Sequence, residues 1–166
     1  MNVEFINPFL EAAIKVLSTM AFTPATPGKP FLKNKTPLSQ GDVSGIAGLT
    51  GRINGSMAVS FSQGAILEIV SNMFGEVCKE INDDVRDAVG EISNMISGHA
   101  RRLLAEKGYE CQSTIPIIID GHGHKICHTV SGPVLVMPFT IGEDKSFFIE
   151  LCLETKEAQP APTRGV

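Results

Sequence analysis

The residues from 83 to 107 read DDVRDAVGEISNMISGHARRLLAEK and carry a clear helical pattern. On a helical wheel of about 100° per residue, one stripe is apolar and is expected to pack on a sheet. Its members are Val85, Val89, Ile92, Ile96 and Leu103. Aspartates stand at the start of the segment and basic residues at its end, which complements the helix dipole. The helix is expected to begin at Asn82 or Asp83 and to end before Gly108.

A second stripe on the same helix is polar and lies roughly 150° from the apolar one. It consists of Asp87, Glu91, Asn94 and Gly98. Glu91 and Asn94 are one turn apart, and both are expected to point to solvent. Within a helix, asparagine costs a few tenths of a kcal/mol relative to alanine and glycine costs about 1 kcal/mol. Because locally unfavourable residues often mark functional sites, this stripe is the candidate site.

The first half of the chain predicts two more helices around a hairpin. Asn7-Pro8 predicts the start of a first helix, which should end before Thr23-Pro24. Residues 42–50 and 53–61 predict paired strands, and the alternation at Met57, Val59 and Phe61 predicts that one face is more buried than the other. Ser62 and Gly75 are expected to bound the second helix.

The second half predicts mostly strands after the long helix. Pro138 lies within one of these segments and predicts an edge or a bulge there. The predicted strands are 111–119, 125–131, 133–141 and 146–154. The resulting fold class is α/β (α+β), with an antiparallel-rich sheet packed against long helices on one side. Residues 1–154 are expected to form a single domain, and residues 155–166 a disordered tail.

A weak internal echo suggests that the α/β unit is duplicated. Glu11-Ala12-Ala13-Ile14 can be aligned with Glu91-Ile92-Ser93-Asn94, and each is followed by a similar helical run. The first copy has Ile14 at the position that Asn94 occupies in the second.

Composition excludes several kinds of protein. The 166 residues carry a net charge of −4, no tryptophan and one tyrosine, which disfavours a nucleic-acid surface. The four cysteines are scattered and predict free thiols in a reducing compartment. No apolar run approaches the ~20 residues of a spanning helix, and the acidic N-terminal segment does not resemble a secretory signal. The chain is therefore expected to be cytoplasmic.

Three histidines and a cysteine lie close together and leave a second kind of site open. They are His122, His124, Cys127 and His128. Imidazole and thiolate are good zinc ligands, so a metal-binding sensor domain is one interpretation. A polar hairpin end, with Asp120-Gly121 and Gly123 forming a turn, explains the same residues without a metal.

The segment from Asp87 to Asn94, DAVGEISN, resembles the ExxN helix of the CheC/CheX/FliY family of chemotaxis phosphatases. In that family an Asp or Ser is followed by Glu four residues on, Asn three further on, and a proline about twenty residues downstream, a spacing close to that of Pro116. The glycine-rich hairpin of residues 48–56 is also similar to the family's, and the resemblance covers roughly residues 5–154. With Ile14 in the first copy, one ExxN motif remains, which resembles the CheX-like members.

The resemblance implies a phosphatase for the aspartyl phosphate of a CheY-like response regulator in chemotaxis. Asn94 would orient the attacking water, and Glu91 would pair with a lysine of the partner. Asp87 and Gly98 would belong to the partner-binding surface. The family needs no cofactor of its own, since Mg²⁺ sits on the phosphorylated partner, and its CheX-like members form homodimers. The alternative is a non-catalytic binding module that docks a response regulator or a flagellar-switch component.

Overall fold

Three helices and eight strands make up the computed structural model, which describes residues 3–33 and 41–156. The helices are α1 (Val3–Met20), α2 (Gln63–Phe74) and α3 (Asp83–Glu106). The strands are β1 (Thr26–Pro27), β2 (Phe31–Leu32), β3 (Gly41–Gly51), β4 (Ile53–Phe61), β5 (Cys111–Ser113), β6 (Ile117–His124), β7 (Leu135–Ile141) and β8 (Lys145–Thr155). In the described ranges, none of the helices combines the length and the apolar character needed to cross a membrane.

All strands belong to one antiparallel sheet with an internal two-fold arrangement. The order is β1-β7-β8-β4-β3-β5, with β2 also on β7 and β6 also on β3. The first half of the chain runs from α1 to β4 and the second from α3 to β8. If each strand of one half is replaced by its counterpart in the other half (β1 by β5, β2 by β6, β3 by β7 and β4 by β8), the same order is read from the opposite edge. The echo in the sequence is therefore confirmed as a duplicated unit, in which the short outer strands of each half pair with the hairpin of the other.

One face of the sheet forms the apolar core under the helices, as the sequence predicts. Cross-strand neighbours such as Val59 and Ile149, or Phe61 and Phe147, are fully buried there. The rings of Phe139 and Phe147 stack with their centroids 4.6 Å apart. The large contiguous apolar surface of this face holds the three helices to the sheet.

The opposite face is also buried, which corrects the prediction that one face of β4 is more buried than the other. Ala58 and Ser60 are fully buried together with Ser44 and Glu150. Residues 125–134 cover this face as irregular chain, so the predicted strand 125–131 is wrong. The segment is held to the sheet by side-chain hydrogen bonds instead of a strand ladder. For example, His128 Nδ1 of the segment lies 2.6 Å from Ser56 Oγ of β4.

These hydrogen bonds centre on Glu150, whose carboxylate is entirely buried. Lys33 Nζ lies 3.0 and 2.8 Å from its two oxygens, and His128 Nε2 lies 3.2 Å from one of them. His128 therefore joins two polar side chains, with Nε2 facing Glu150 and Nδ1 facing the hydroxyl of Ser56. Burial would raise the pKa of Glu150, but the hydrogen bond from His128 and the ion pair with Lys33 outweigh it and lower the pKa below its ordinary value.

Two further sequence predictions, the start of the first helix and the strand after α3, are wrong. Helix α1 begins at Val3, not after Asn7, so Pro8 lies inside it as its sixth residue. Burial of Phe5 and its edge-on contact with Tyr109, at 4.8 Å between ring centroids, hold the extra turn in place despite the lost backbone donor. The predicted strand 111–119 is broken into β5 and β6 at residues 114–116.

Two other predictions concern Pro138 and the C-terminal tail. Pro138 lies in an interior strand rather than at an edge or a bulge, and its carbonyl accepts from Gly28 N on the side where the neighbouring β1 and β2 are interrupted. The missing N–H of Pro138 therefore faces a break in the sheet rather than a ladder partner. The predicted tail begins at Thr155, which is the last residue of β8, and residues 157–166 lie outside the described residues.

Helix α3 has the predicted bounds and approaches the sheet unusually closely. Asn82 Oδ1 caps it by accepting from Val85 N at 3.0 Å. Below the helix, a Cβ built on Gly45 of β3 would lie 2.2 Å from Ser93 Oγ and 2.9 Å from Ser93 Cβ. Only a glycine facing a small side chain allows this distance, so the Gly45–Ser93 contact fixes the height of α3 above the sheet.

We expect Gly45→Ala to lower the free energy of unfolding by about 1–3 kcal/mol, because the added methyl overpacks the contact with Ser93. Gly64→Ala is the matched control, since its Cβ would lie 3.7 Å from the nearest side-chain atom of Lys145, an ordinary contact. The control should be neutral or up to about 1 kcal/mol more stable because Gly64 lies in α2. Urea denaturation of both variants measures the difference, and equal stabilities would contradict the prediction.

We expect Glu150→Gln to cost about 3 kcal/mol at neutral pH, because Lys33 would lose its buried counter-charge. The folded protein lowers the pKa of Glu150 below 4.5, so the carboxylate's contribution is complete above that pH. The contribution is lost as the pH falls through the lower folded-state pKa, since the unfolded chain binds the proton more readily.

The difference in unfolding free energy between parent and Glu150→Gln should therefore shrink as the pH falls from about 7 toward about 3. Glu154→Gln, on the same strand but exposed, is the control and should match the parent at each pH. A difference for Glu150→Gln that is independent of pH would refute the assignment.

Candidate active site on helix α3

The polar stripe of α3 faces solvent as the sequence predicts. Asp87, Glu91 and Asn94 are exposed, whereas Val89, Ile92 and Ile96 on the opposite side are buried. The same helical periodicity that buries the apolar stripe therefore presents a carboxamide next to two carboxylates on the outer surface. Asn94 follows directly after Ser93, so the close packing of Ser93 on Gly45 also fixes where the carboxamide stands.

A groove runs along this stripe, and its second wall comes from the chain between β5 and β6. Helix α3 contributes Arg86, Asp87, Gly90, Glu91 and Asn94. The second wall contributes Ile115, Pro116 and Ile118. The proline that the sequence analysis linked to the ExxN motif therefore lies in the same groove as Glu91 and Asn94. A Cβ on Gly90 would lie 3.6 Å from Ile118 Cδ1, so the two walls are in contact at the groove floor.

An arginine bridges the two walls at the end of the groove. Arg86 donates from Nε and Nη2 to Asp120 Oδ2 of β6, at 2.9 and 2.7 Å, and from Nη1 to Asp83 Oδ1 at 2.8 Å. The hydrogen bond to Asp120 raises the pKa of Arg86. Two aspartates thus compensate the guanidinium, which leaves Asp87 and Glu91 as the charges that an approaching molecule meets in the groove.

Gly98 lies one turn beyond this groove, in a separate depression between α1 and α3. Lys15, Val16 and Met95 are among its neighbours there. A Cβ on Gly98 would meet only Arg101 Nη2, at 4.0 Å, so packing within the described residues does not demand glycine at this position. The structure therefore brings together Asp87, Glu91 and Asn94, and separates Gly98 from them.

The corresponding positions of the first half lack the amide. Glu11 is the ninth residue of α1, as Glu91 is the ninth of α3, and both are exposed. Three residues on, the half-buried Ile14 stands where α3 has the exposed Asn94. The two helices therefore share a scaffold, but only α3 presents the pair of carboxylate and carboxamide.

The histidine cluster is occupied by hydrogen bonds within the chain. His122 Nδ1 lies 2.7 Å from Asp42 Oδ1, and His124 Nε2 lies 2.6 Å from Ser44 Oγ. His128 belongs to the buried network around Glu150. The predicted turn at Asp120-Gly121 is instead part of β6, which runs through to His124. Among residues 3–33 and 41–156, no three His, Cys, Asp or Glu side chains are arranged to hold a metal ion.

The groove offers chemistry based on alignment and charge. A carboxamide can accept a hydrogen bond from water through its oxygen while its NH₂ donates one to another group. An exposed carboxylate can form an ion pair with a cation. Sequence reasoning located the α3 wall but missed Arg86, Ile115 and Asp120. Arg86 and Asp120 are 34 positions apart and meet only through the packing of β6 on β3, so no local sequence pattern predicts their ion pair.

Comparison with known proteins assigns the chain to a family. The sequence profile described as "Chemotaxis phosphatase CheX" matches residues 43–140. The CheY-P phosphatase CheX of Thermotoga maritima is 24% identical over 156 residues, which covers 93% of this chain and 99% of that protein. The crystal structure of the chemotaxis protein CheX from Vibrio vulnificus is 43% identical, with a TM-score of 0.86, and covers 91% of this chain and 99% of the other.

A third relative was solved together with a partner protein. The CheX-CheY-BeF3-Mg²⁺ complex from Borrelia burgdorferi contains a chain 28% identical to this one, with a TM-score of 0.76, covering 92% of this chain and 99% of that chain. The matched profile spans more than half of the sequence, including the hairpin, α3 and the groove wall at residues 115–118. The chain belongs to the CheX family of chemotaxis phosphatases.

Proposed function

We propose that this protein dephosphorylates the aspartyl phosphate of a CheY-like response regulator in bacterial chemotaxis. The observation that carries the proposal is the exposed pair of Glu91 and Asn94, one turn apart in an open groove of α3. The Thermotoga relative is named a CheY-P phosphatase, and the Borrelia relative was solved bound to CheY. One domain over residues 1–154 would carry the activity.

Asn94 is the proposed catalytic residue. Phosphoryl transfer needs little covalent help from a protein and depends on alignment and charge stabilisation. A carboxamide suits this task because its oxygen accepts from the attacking water while its NH₂ donates toward phosphoryl oxygens. A carboxylate at the same position would oppose the charge of the phosphoryl group. The exposed position of Asn94 allows it to enter a pocket on another protein.

Glu91 is the proposed anchor for the partner. Its exposed carboxylate shares the groove with Asp87, and a lysine of the response regulator's active site would be the cation that it receives. A charge-assisted hydrogen bond of this kind is stronger than a neutral one and fixes the orientation of the complex. Asp87 would add negative charge to the same surface, and the absence of a side chain at Gly98 would allow close approach further along α3.

The remaining parts of the proposal concern the setting of the reaction. The protein would need no cofactor of its own, because Mg²⁺ would be held by the phosphorylated partner; the Borrelia complex contains Mg²⁺ and BeF3. We propose a cytoplasmic location, where CheY-like regulators act, and a homodimer formed through sheet edges. The outer strands β1 and β2 leave apolar residues such as Leu32 exposed at one such edge.

Asn94→Ala should reduce the stimulated dephosphorylation by about 100-fold or more, because the attacking water loses its positioned partner. Binding of the regulator should persist, since Glu91 and the groove remain. Release of phosphate from a phosphorylated CheY protein measures activity, and calorimetry with the BeF3-activated form measures binding. Full activity in Asn94→Ala would refute the mechanism, and binding without activity in the parent protein would favour the non-catalytic docking module instead.

Glu91→Ala should raise KM by about tenfold or more through loss of a charge-assisted hydrogen bond. Glu11→Ala is the matched control, because Glu11 is the exposed glutamate at the equivalent position of α1. The control should retain the parent's KM. An equal rise in both variants would indicate a general effect of surface charge rather than a specific anchor.

A further inference from the structure

Ile115 is a large apolar side chain held almost entirely in solvent. Its exposed fraction of 88% is higher than that of any other large apolar residue among those described. Ile115 lines the groove on the side opposite Glu91 and Asn94. A single exposed apolar residue is ordinary, but this one stands at the rim of the candidate site, where a bound protein would cover it.

The backbone on either side of Ile115 is firmly attached to the sheet and helix. Thr114 and Gly48 exchange two hydrogen bonds of 2.9 Å, one between backbones and one from Gly48 N to Thr114 Oγ1. On the other side, Pro116 and Ile118 are half-buried, and Ile118 packs near Gly90 of α3. Ile115 is therefore displayed by a fixed piece of chain, so its contact with a partner would cost little ordering entropy.

The Arg86–Asp120 ion pair ties this wall to the helix. The side chains of Arg86 and Asp120 are 36% and 40% exposed, and surface ion pairs of this kind add little to stability. The geometry is nevertheless specific, because Nε and Nη2 both reach one carboxylate oxygen. Because this ion pair contributes little to the stability of the fold but joins the two groove walls, its main effect is to set the distance between the walls.

The two walls of the groove are complementary to a partner surface with two properties. The α3 wall presents Asp87 and Glu91, while Arg86 is compensated by its two aspartates, so this wall favours a cationic group. The other wall presents Ile115 and favours an apolar patch. A molecule that brings a phosphoryl group to Asn94 must cover both walls, because they flank the same groove.

We propose that residues 114–118 form the second half of the surface that binds the receiver domain of the response regulator, with Ile115 as its apolar contact. Arg86 and Asp120 are positioning residues that hold this half at a set distance from Asn94. The inference rests on the proposed function and extends it, since it assigns recognition to a wall that carries no catalytic group. The receiver would present its active-site lysine beside an exposed apolar patch.

The test compares Ile115→Ser with Ile117→Ser. Ile117 is the same residue type two positions on and is 68% exposed, but it does not line the groove. The substrate is a phosphorylated CheY protein that the parent chain dephosphorylates. Ile115→Ser should raise KM about tenfold and change kcat by less than about twofold, whereas Ile117→Ser should leave both unchanged. Sedimentation of both variants checks that the oligomeric state is that of the parent.

Variants of the ion pair test the positioning role. Arg86→Gln and Asp120→Asn should each raise KM by about threefold or more, and the double variant should be no worse than the single ones, since all three lose the same pair. The urea midpoint should stay that of the parent. A merely structural role would instead lower the midpoint and leave KM untouched.

An unchanged KM in Ile115→Ser, or an equal rise in Ile115→Ser and Ile117→Ser, would overturn the inference while leaving the proposed function intact. Failure of the proposed function has a different signature. The parent chain would then not accelerate phosphate release, or Asn94→Ala would remain fully active.

Discussion

The contact between Gly45 and Ser93 is the constraint on which the rest of the site depends. Helix α3 can sit this low only because β3 has no side chain beneath Ser93, where a Cβ would come within 2.2 Å of the hydroxyl oxygen. The next residue along the helix is Asn94, on the outer surface. Packing in the core therefore determines how far the carboxamide projects, and the position of the proposed catalytic residue depends on one glycine in the sheet.

The two faces of the sheet are covered by different kinds of interaction. Under the helices, stacked aromatic and aliphatic side chains exclude water without directional bonds. On the other face, irregular chain must be held against strands, and hydrogen bonds do this work. Glu150 lies at the centre of this face, joined to Lys33 and His128 from two distant segments. A buried charge needs partners with correct geometry, so this network selects one arrangement of the covering chain.

Local signals explain which features the sequence could predict. Helix α3 was placed by its caps and its period, and its solvent stripe followed from the same period, so Asp87, Glu91 and Asn94 were found where they lie. Features that depend on distant contacts were missed. Residues 125–131 alternate like a strand but are bound by side chains to a face already made, and Pro8 is accommodated by burial of Phe5. The wall at Ile115 is visible only once β6 is paired with β3.

The exchange of outer strands between the two halves has a consequence for how such a protein can arise and fold. Neither half contains a complete sheet, because β1 and β2 are held by β7, and β5 and β6 by β3. A single ancestral half would complete its ladder only by trading edges with a second copy, so fusion of the two genes would convert an intertwined pair into one chain. Once both copies were covalently joined, selection could act on them separately, so that α1 can carry Ile14 where α3 carries Asn94.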